Sequence, residues 1–149
     1  SYSACVAEVT VHADQSWQID RLVVALDCGL VVNPKNLRSQ IDGGCAFAIS
    51  LARYNEVTVK DGVAQETNFD QYPMVRWHTM AKRIEACFVA SNQPPSGAGE
   101  TIGSSVVPAI ANALFNATGV RLRKLPLRLP GERAEGGWER PARLNGVGA

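Results

Sequence analysis

The sequence predicts an α+β fold in which antiparallel strand hairpins pack with two main helices. Three observations carry that expectation. Val6 to His12 and Trp17 to Asp27 are apolar, β-branched runs separated by the polar cluster Ala13-Asp14-Gln15-Ser16. Asn33-Pro34 opens a stretch with apolar residues at helical spacing, and a second apolar stretch rich in alanine closes on Gly119.

Taken in order, the first two runs read as an antiparallel hairpin whose second strand delivers Asp27-Cys28-Gly29 at its end. Asn33 is a good N-cap and Pro34 a good first helical residue. Leu37, Ile41, Cys45 and Ala48 then give that helix one apolar face. Asn55 to Lys60 and Val63 to Thr67 flank Asp61-Gly62, the strongest short hairpin signal in the chain. Ile84 to Ala90 reads as another strand, ended by Ser91-Asn92-Gln93-Pro94-Pro95-Ser96-Gly97, where prolines and glycine exclude regular structure. From about Ser104 to Thr118 the pattern is helical, with Val107, Ile110, Ala111 and Leu114 on one stripe. Past Pro126 little remains to bury except Trp138, so residues 128–149 read as a flexible or strap-like tail on a domain segment of residues 1–127.

Composition narrows the functional classes. With 149 residues, 46% of them hydrophobic, the chain has the size of one globular domain or of a piece of a larger one. A net charge of +1 argues against a dedicated nucleic-acid binder, which needs a concentrated basic face. No run reaches the length of a membrane span. The four cysteines, Cys5, Cys28, Cys45 and Cys87, lack paired CxxC spacing, so an iron–sulfur or zinc site is not expected and buried thiols are. His12 and His78 have no partner at ligand spacing and receive no role.

The most informative stretch is Gly97-Ala98-Gly99-Glu100, which sets one carboxylate between glycines and the start of an apolar helix. A carboxylate so placed is either a general base or simply a cap on that helix. Gln40 lies on the first helix just before Asp42-Gly43-Gly44, and two glycines inside a helix cost about 1 kcal/mol each against alanine. Close approach of another backbone or of a cofactor would explain them. Asn68 suits a turn and Tyr72 suits packing, and Asp27 at a strand end reads as part of a structural turn.

Five motifs in one order, Asp27-Cys28-Gly29-Leu30-Val31-Val32-Asn33-Pro34, Gln40-Ile41-Asp42-Gly43-Gly44, Asn68-Phe69-Asp70-Gln71-Tyr72, Gly97-Ala98-Gly99-Glu100 and Pro108-Ala109-Ile110-Ala111-Asn112-Ala113, resemble the C-terminal part of the molybdenum hydroxylase large subunit. This is the xanthine dehydrogenase and aldehyde oxidase family. Ala117 to Pro126 looks most like the branch of isoquinoline 1-oxidoreductase beta subunits and membrane-associated aldehyde dehydrogenases.

The resemblance implies a fragment of a molybdopterin-binding domain, inactive alone, in an enzyme that hydroxylates an aldehyde or an N-heterocyclic carbon with water. It implies a molybdenum–molybdopterin cofactor, in the cytosine dinucleotide form, shared with the rest of the large subunit, and iron–sulfur clusters on a partner subunit. Glu100 matches the base that removes a proton from the metal-bound hydroxyl. Gln40 matches the amide brought to the pterin edge, with Gly43, Gly44 and Gly99 beside the cofactor; the chain supplies no metal ligand. A cytochrome c partner and a periplasmic or membrane-associated bacterial complex accompany that branch. The pattern departs from the family at Thr101, where a proline usually follows the Glu, and before the strand at Ile84, where Met80-Ala81-Lys82-Arg83 stands in place of a proline-containing stretch. Two other readings compete: a non-catalytic assembly module that completes the large subunit or binds a partner, and a standalone carboxylate hydrolase. The hydrolase lacks a recognisable second carboxylate or nucleophile–base pair.

Overall fold

The computed structural model describes residues 1–132. Strands β1 (Tyr2–Val11) and β2 (Trp17–Asp27) form the expected hairpin, β1 beginning four residues before Val6. Their turn is closed by Asp14, whose carboxylate accepts from the Ser16 amide and hydroxyl, and the register shifts once, between Glu8 and Val9. Helix α1 (Pro34–Arg53) starts where the cap chemistry requires it, the Asn33 side chain accepting from the Asn36 amide at 3.0 Å. Strand β5 (Arg83–Phe88) and helix α2 (Thr101–Thr118) complete the main layer, and α2 ends on Gly119 at φ 74°, the left-handed C-cap conformation.

The sheet order is β1-β2-β5, with β5 parallel to β2 across Arg21↔Arg83 to Leu26↔Phe88. One face of this sheet is covered by the helices. Trp17, Ile19, Leu22, Val24 and Leu26 of β2 meet Ile41, Cys45, Ala48 and Ile49 of α1 and Ile102, Val106, Ile110 and Leu114 of α2 in one buried cluster. The α1 stripe is the one that Ile41, Cys45 and Ala48 predict. The helix α2 begins at Thr101, three residues before Ser104, and its fully buried stripe is Ile102, Val106, Ile110 and Leu114 at spacings of four, with Val107 and Ala111 partly buried at its edge.

Between α1 and β5 runs an exposed arm. Its hairpin pairs only β3 (Val59–Lys60) with β4 (Val63–Ala64) around Asp61 at φ 52° and Gly62 at φ 78°. The turn is the expected one, but the strands are shorter than Asn55–Lys60 and Val63–Thr67, since an isolated two-stranded ribbon has no third strand or core to extend it. After a single 3₁₀ turn at Trp77–Thr79 the chain enters β5. Ser50 anchors the arm: its hydroxyl accepts from the Val75 amide at 3.0 Å and donates to the Ala46 carbonyl.

Packing runs beyond residue 127. Leu127 donates its amide to the Ala52 carbonyl at 2.7 Å, and Leu129, within the segment 128–149 expected to be a tail, is 3% exposed in the core. Both leucine side chains join the buried cluster of the core. Trp138 and the rest of that segment lie outside the described residues.

Candidate functional site

Glu100 occupies the N-cap position of α2, yet its side chain makes no capping bond. The simplest structural role for this carboxylate is therefore absent. The residue is exposed at the mouth of the helix, and among the described residues no hydrogen bond or ion pair reaches its side chain. The first turn it opens is held from outside. Ser3 of β1 donates its hydroxyl to the Thr101 carbonyl at 3.0 Å, and the Ser1 and Thr101 hydroxyls lie 2.9 Å apart.

Gln40 approaches from α1. A Cβ built on Gly99 would lie 3.3 Å from Gln40 Oε1, so the amide sits against the backbone immediately before Glu100. An amide that donates and accepts is thus brought to the backbone of the residue that precedes Glu100, 60 positions further along the sequence. Gln40, like Glu100, is exposed, and its side chain has no protein hydrogen-bond partner among the described residues.

The two helix glycines divide their roles. A Cβ on Gly44 would stand 2.8 Å from Ile102 Cβ, 3.1 Å from Cγ1 and 3.2 Å from Cγ2, so α1 and α2 approach closely at Gly44. Gly43 has nothing within 4 Å of its Cβ position and faces open space one turn from Gln40. Close approach of a neighbouring element explains Gly44; room for another group is what Gly43 leaves.

Arg38 was not legible as a contributor from sequence. Its Nε bonds both Asp42 carboxylate oxygens at 3.0 Å while Nη2 donates to the Ile84 carbonyl at 2.7 Å, tying α1 to the strand that leads toward Glu100. The ion pair with Asp42 holds the guanidinium above its usual pKa. The i,i+4 spacing of Arg38 and Asp42 was the available signal. Asn68 behaves as a turn residue, its Oδ1 accepting from the Phe69 amide at 2.9 Å, and Tyr72 is half-buried in the arm. Burial pushes the Cys45 thiol up to about 12 and the Cys5 thiol up to about 11. Both are protonated at neutral pH, as inert core thiols are. Among the described residues no three His, Cys, Asp or Glu side chains are grouped to hold a metal ion.

The chain belongs to the family described as molybdopterin cofactor-binding domain, whose pattern matches residues 1–81. Its relatives include the molybdenum-binding large subunits of aldehyde and isoquinoline oxidoreductases and of xanthine dehydrogenases. It is 34% identical over 132 residues to a protein named membrane-bound aldehyde dehydrogenase [pyrroloquinoline-quinone] from Gluconacetobacter polyoxogenes, covering 86% of this chain and 17% of that one. It is 33% identical over 129 residues to isoquinoline 1-oxidoreductase subunit beta of Brevundimonas diminuta, covering 86% and 16%. The chain thus spans about a sixth of the length of these relatives. The fold is that of large-subunit domains of solved molybdenum hydroxylases. Aldehyde oxidoreductase from Desulfovibrio gigas aligns at a TM-score of 0.64 with 28% identity over 85% of this chain and 14% of that one. Quinoline 2-oxidoreductase from Pseudomonas putida 86 aligns at 0.69 with 23% identity over 76% and 16%.

Proposed function

We propose that this chain is the part of a molybdopterin-dependent oxidoreductase that presents a general base, Glu100, beside the pterin-binding amide of Gln40. The single observation that carries this reading is the packing of Gln40 Oε1 against Gly99, with both the amide and the neighbouring carboxylate left without protein partners. An unpaired amide suits the donor–acceptor edge of a pterin, and the open space at Gly43 leaves room for it, so the residues present fit the group. Gly99 allows the backbone to approach, while Gly44 sets the helix spacing that brings Gln40 and Glu100 together.

When bound, the molybdenum cofactor supplies the two-electron redox chemistry and acidifies the water that becomes the product oxygen. Glu100 accepts that water's proton at a carboxylate oxygen. Gln40 holds its amide toward the pterin and, through its contact with Gly99, limits where Glu100 can stand. With the cofactor held by the complete large subunit, oxygen from water would replace hydrogen on the substrate carbon, and the two electrons released would pass to iron–sulfur clusters on a partner subunit.

Substrates of the aldehyde or N-heterocycle class follow from the names aldehyde dehydrogenase, isoquinoline 1-oxidoreductase and nicotinate dehydrogenase among the relatives. One of those names specifies a quinone cofactor for that relative; the family match of residues 1–81 is what favours the pterin for this chain. The cytosine dinucleotide form, a cytochrome c partner and a membrane-associated location go with the same branch. No helix among the described residues is long and apolar enough to cross a membrane. Residues 1–127 form the cofactor-binding segment in this proposal, completed by the remainder of the large subunit.

The test replaces Glu100 by Gln in the complete enzyme. A general base loses at least about 100-fold in the reductive half-reaction while molybdenum content stays full. Normal turnover refutes the base assignment and leaves the assembly-module reading. In that reading, Gln40→Ala also leaves cofactor occupancy unchanged, whereas loss of an amide–pterin bond lowers it by about 1–3 kcal/mol of binding.

A further inference from the structure

The turn at Asp27–Gly29 does more than end a strand. Gly29 is buried at φ +78°, where side chains are strained. A Cβ there would also collide with the Pro94 carbonyl and lie 2.8 Å from the Gln93 carbonyl oxygen. Two backbone bonds stitch this turn to the loop: the Leu30 amide donates to the Gln93 carbonyl at 2.9 Å, and the Ser96 amide donates to the Cys28 carbonyl at 2.8 Å. The turn itself is held by Asp27, whose Oδ1 accepts the Gly29 amide at 3.1 Å. Pro94 and Pro95, which carry no amide hydrogen, lie between the two stitches, so these bonds do the holding that a sheet ladder does earlier in β5. From Ser96 only Gly97, Ala98 and Gly99 separate the clamp from Glu100. In the other direction the same turn runs into Asn33, the cap of the helix that carries Gln40.

Resting on the proposed role of Glu100, we infer that Asp27 and Gly29 are positioning residues for the reaction: their turn is the common origin of the loop bearing the base and the helix bearing the amide. A side chain at Gly29 displaces the Pro94 carbonyl and, three glycine-rich residues beyond Ser96, the carboxylate. Loss of the Asp27 oxygen loosens the same turn without adding bulk.

The experiment places Gly29→Ala and Asp27→Ala in the complete enzyme, each alone and combined with Glu100→Gln. With Glu100 present, each lowers kcat by about 10-fold or more and changes KM by less than about 3-fold, because a displacement near 1 Å of a catalytic group costs rate before binding. In the Glu100→Gln background the same substitution costs less than about 2-fold, since a misplaced base that is already gone cannot be lost again. Hydrogen exchange at the Leu30 and Ser96 amides quickens, and Asp27→Asn, which keeps the acceptor oxygen, restores both rate and protection. Equal losses in both backgrounds would mean a general folding role and overturn the inference, as would unchanged exchange at these amides. Should Gly29→Ala fail to fold, the Asp27 pair decides alone. If Glu100→Gln proves fully active, the base reading fails separately; the clamp is then judged by exchange, faster supporting it and unchanged overturning it.

Discussion

Replacing either Gly43 or Gly44 by alanine changes the helix by the same methyl group, yet the two substitutions should act in opposite directions. Both remove an interior helix glycine, which gains about 1 kcal/mol of helix propensity and reduces unfolded-chain freedom. At Gly43 nothing lies within 4 Å of the new carbon, so that gain stands and the variant is more stable by about 0.5–1 kcal/mol. At Gly44 the new carbon would be 2.8 Å from Ile102 Cβ, a branch point that no rotamer change can withdraw. The helices must separate, and overpacking of this kind costs about 1–3 kcal/mol. Because the propensity gain is common to both, the difference between them is the steric cost itself. At about 3–5 °C per kcal/mol for a chain of this length, Gly44→Ala should melt roughly 3–15 °C below Gly43→Ala. Thermal unfolding followed by far-ultraviolet circular dichroism on the two variants side by side measures this gap. Equal midpoints, or a higher one for Gly44→Ala, would refute the claim that α1 and α2 approach closely at this glycine. In the complete enzyme Gly43→Ala should also retain less cofactor than the wild type despite its greater stability, since its methyl enters the space beside Gln40.

Two further outcomes follow from the ionisable groups. Lys82 and Thr10 bond the Asp20 carboxylate and hold its pKa below the usual value, so its contribution to stability is present above the unfolded carboxylate range and fades as pH falls through the lower folded value. Asp20→Asn should therefore lower the thermal midpoint at pH 7 and make no difference near pH 2; an unchanged gap across that range would show that the pairing contributes nothing. Exposed Cys87 should be alkylated by iodoacetamide at pH 8 within minutes in the isolated chain, whereas Cys45, buried with its thiol pushed up to about 12, should react only after unfolding. Peptide mapping by mass spectrometry reads the order, and early labelling of Cys45 would contradict its place in the core.

What the sequence makes legible is what neighbouring residues decide among themselves. Asn33-Pro34 starts a helix, Gly119 ends one and Asp61-Gly62 turns a hairpin because each requirement is met within four residues. The parallel pairing of β5 with β2 depends on residues more than 60 positions apart and has no local signature. The same limit applies at the candidate site. Glu100 and Gln40 could be singled out by type and motif, and Gly44 by its oddity in a helix, but the partner that explains Gly44 is Ile102. Asp27 and Gly29 were legible as a turn; their hold on Gln93 and Ser96 was not, since the loop they grip has no pattern of its own. The start of α2 lies earlier than its local pattern predicts for a related reason: Gly103 lowers local helix propensity, while tertiary bonds from Ser1 and Ser3 secure the turn.

The contact between Gly44 and Ile102 lies near the start of α2 and midway along α1, a short distance along each helix from Glu100 and Gln40. At 1.5 Å per residue, Gln40 is about 6 Å along α1 from the crossing and Glu100 about 3 Å along α2, while Thr118 at the far end of α2 is about 24 Å away. Were α2 to tilt about that contact by about 10°, its distal end would move by about 4 Å and the backbone at Glu100 by about 1 Å or less. The closest approach of the two helices thus falls at the candidate site and not at the far end of α2.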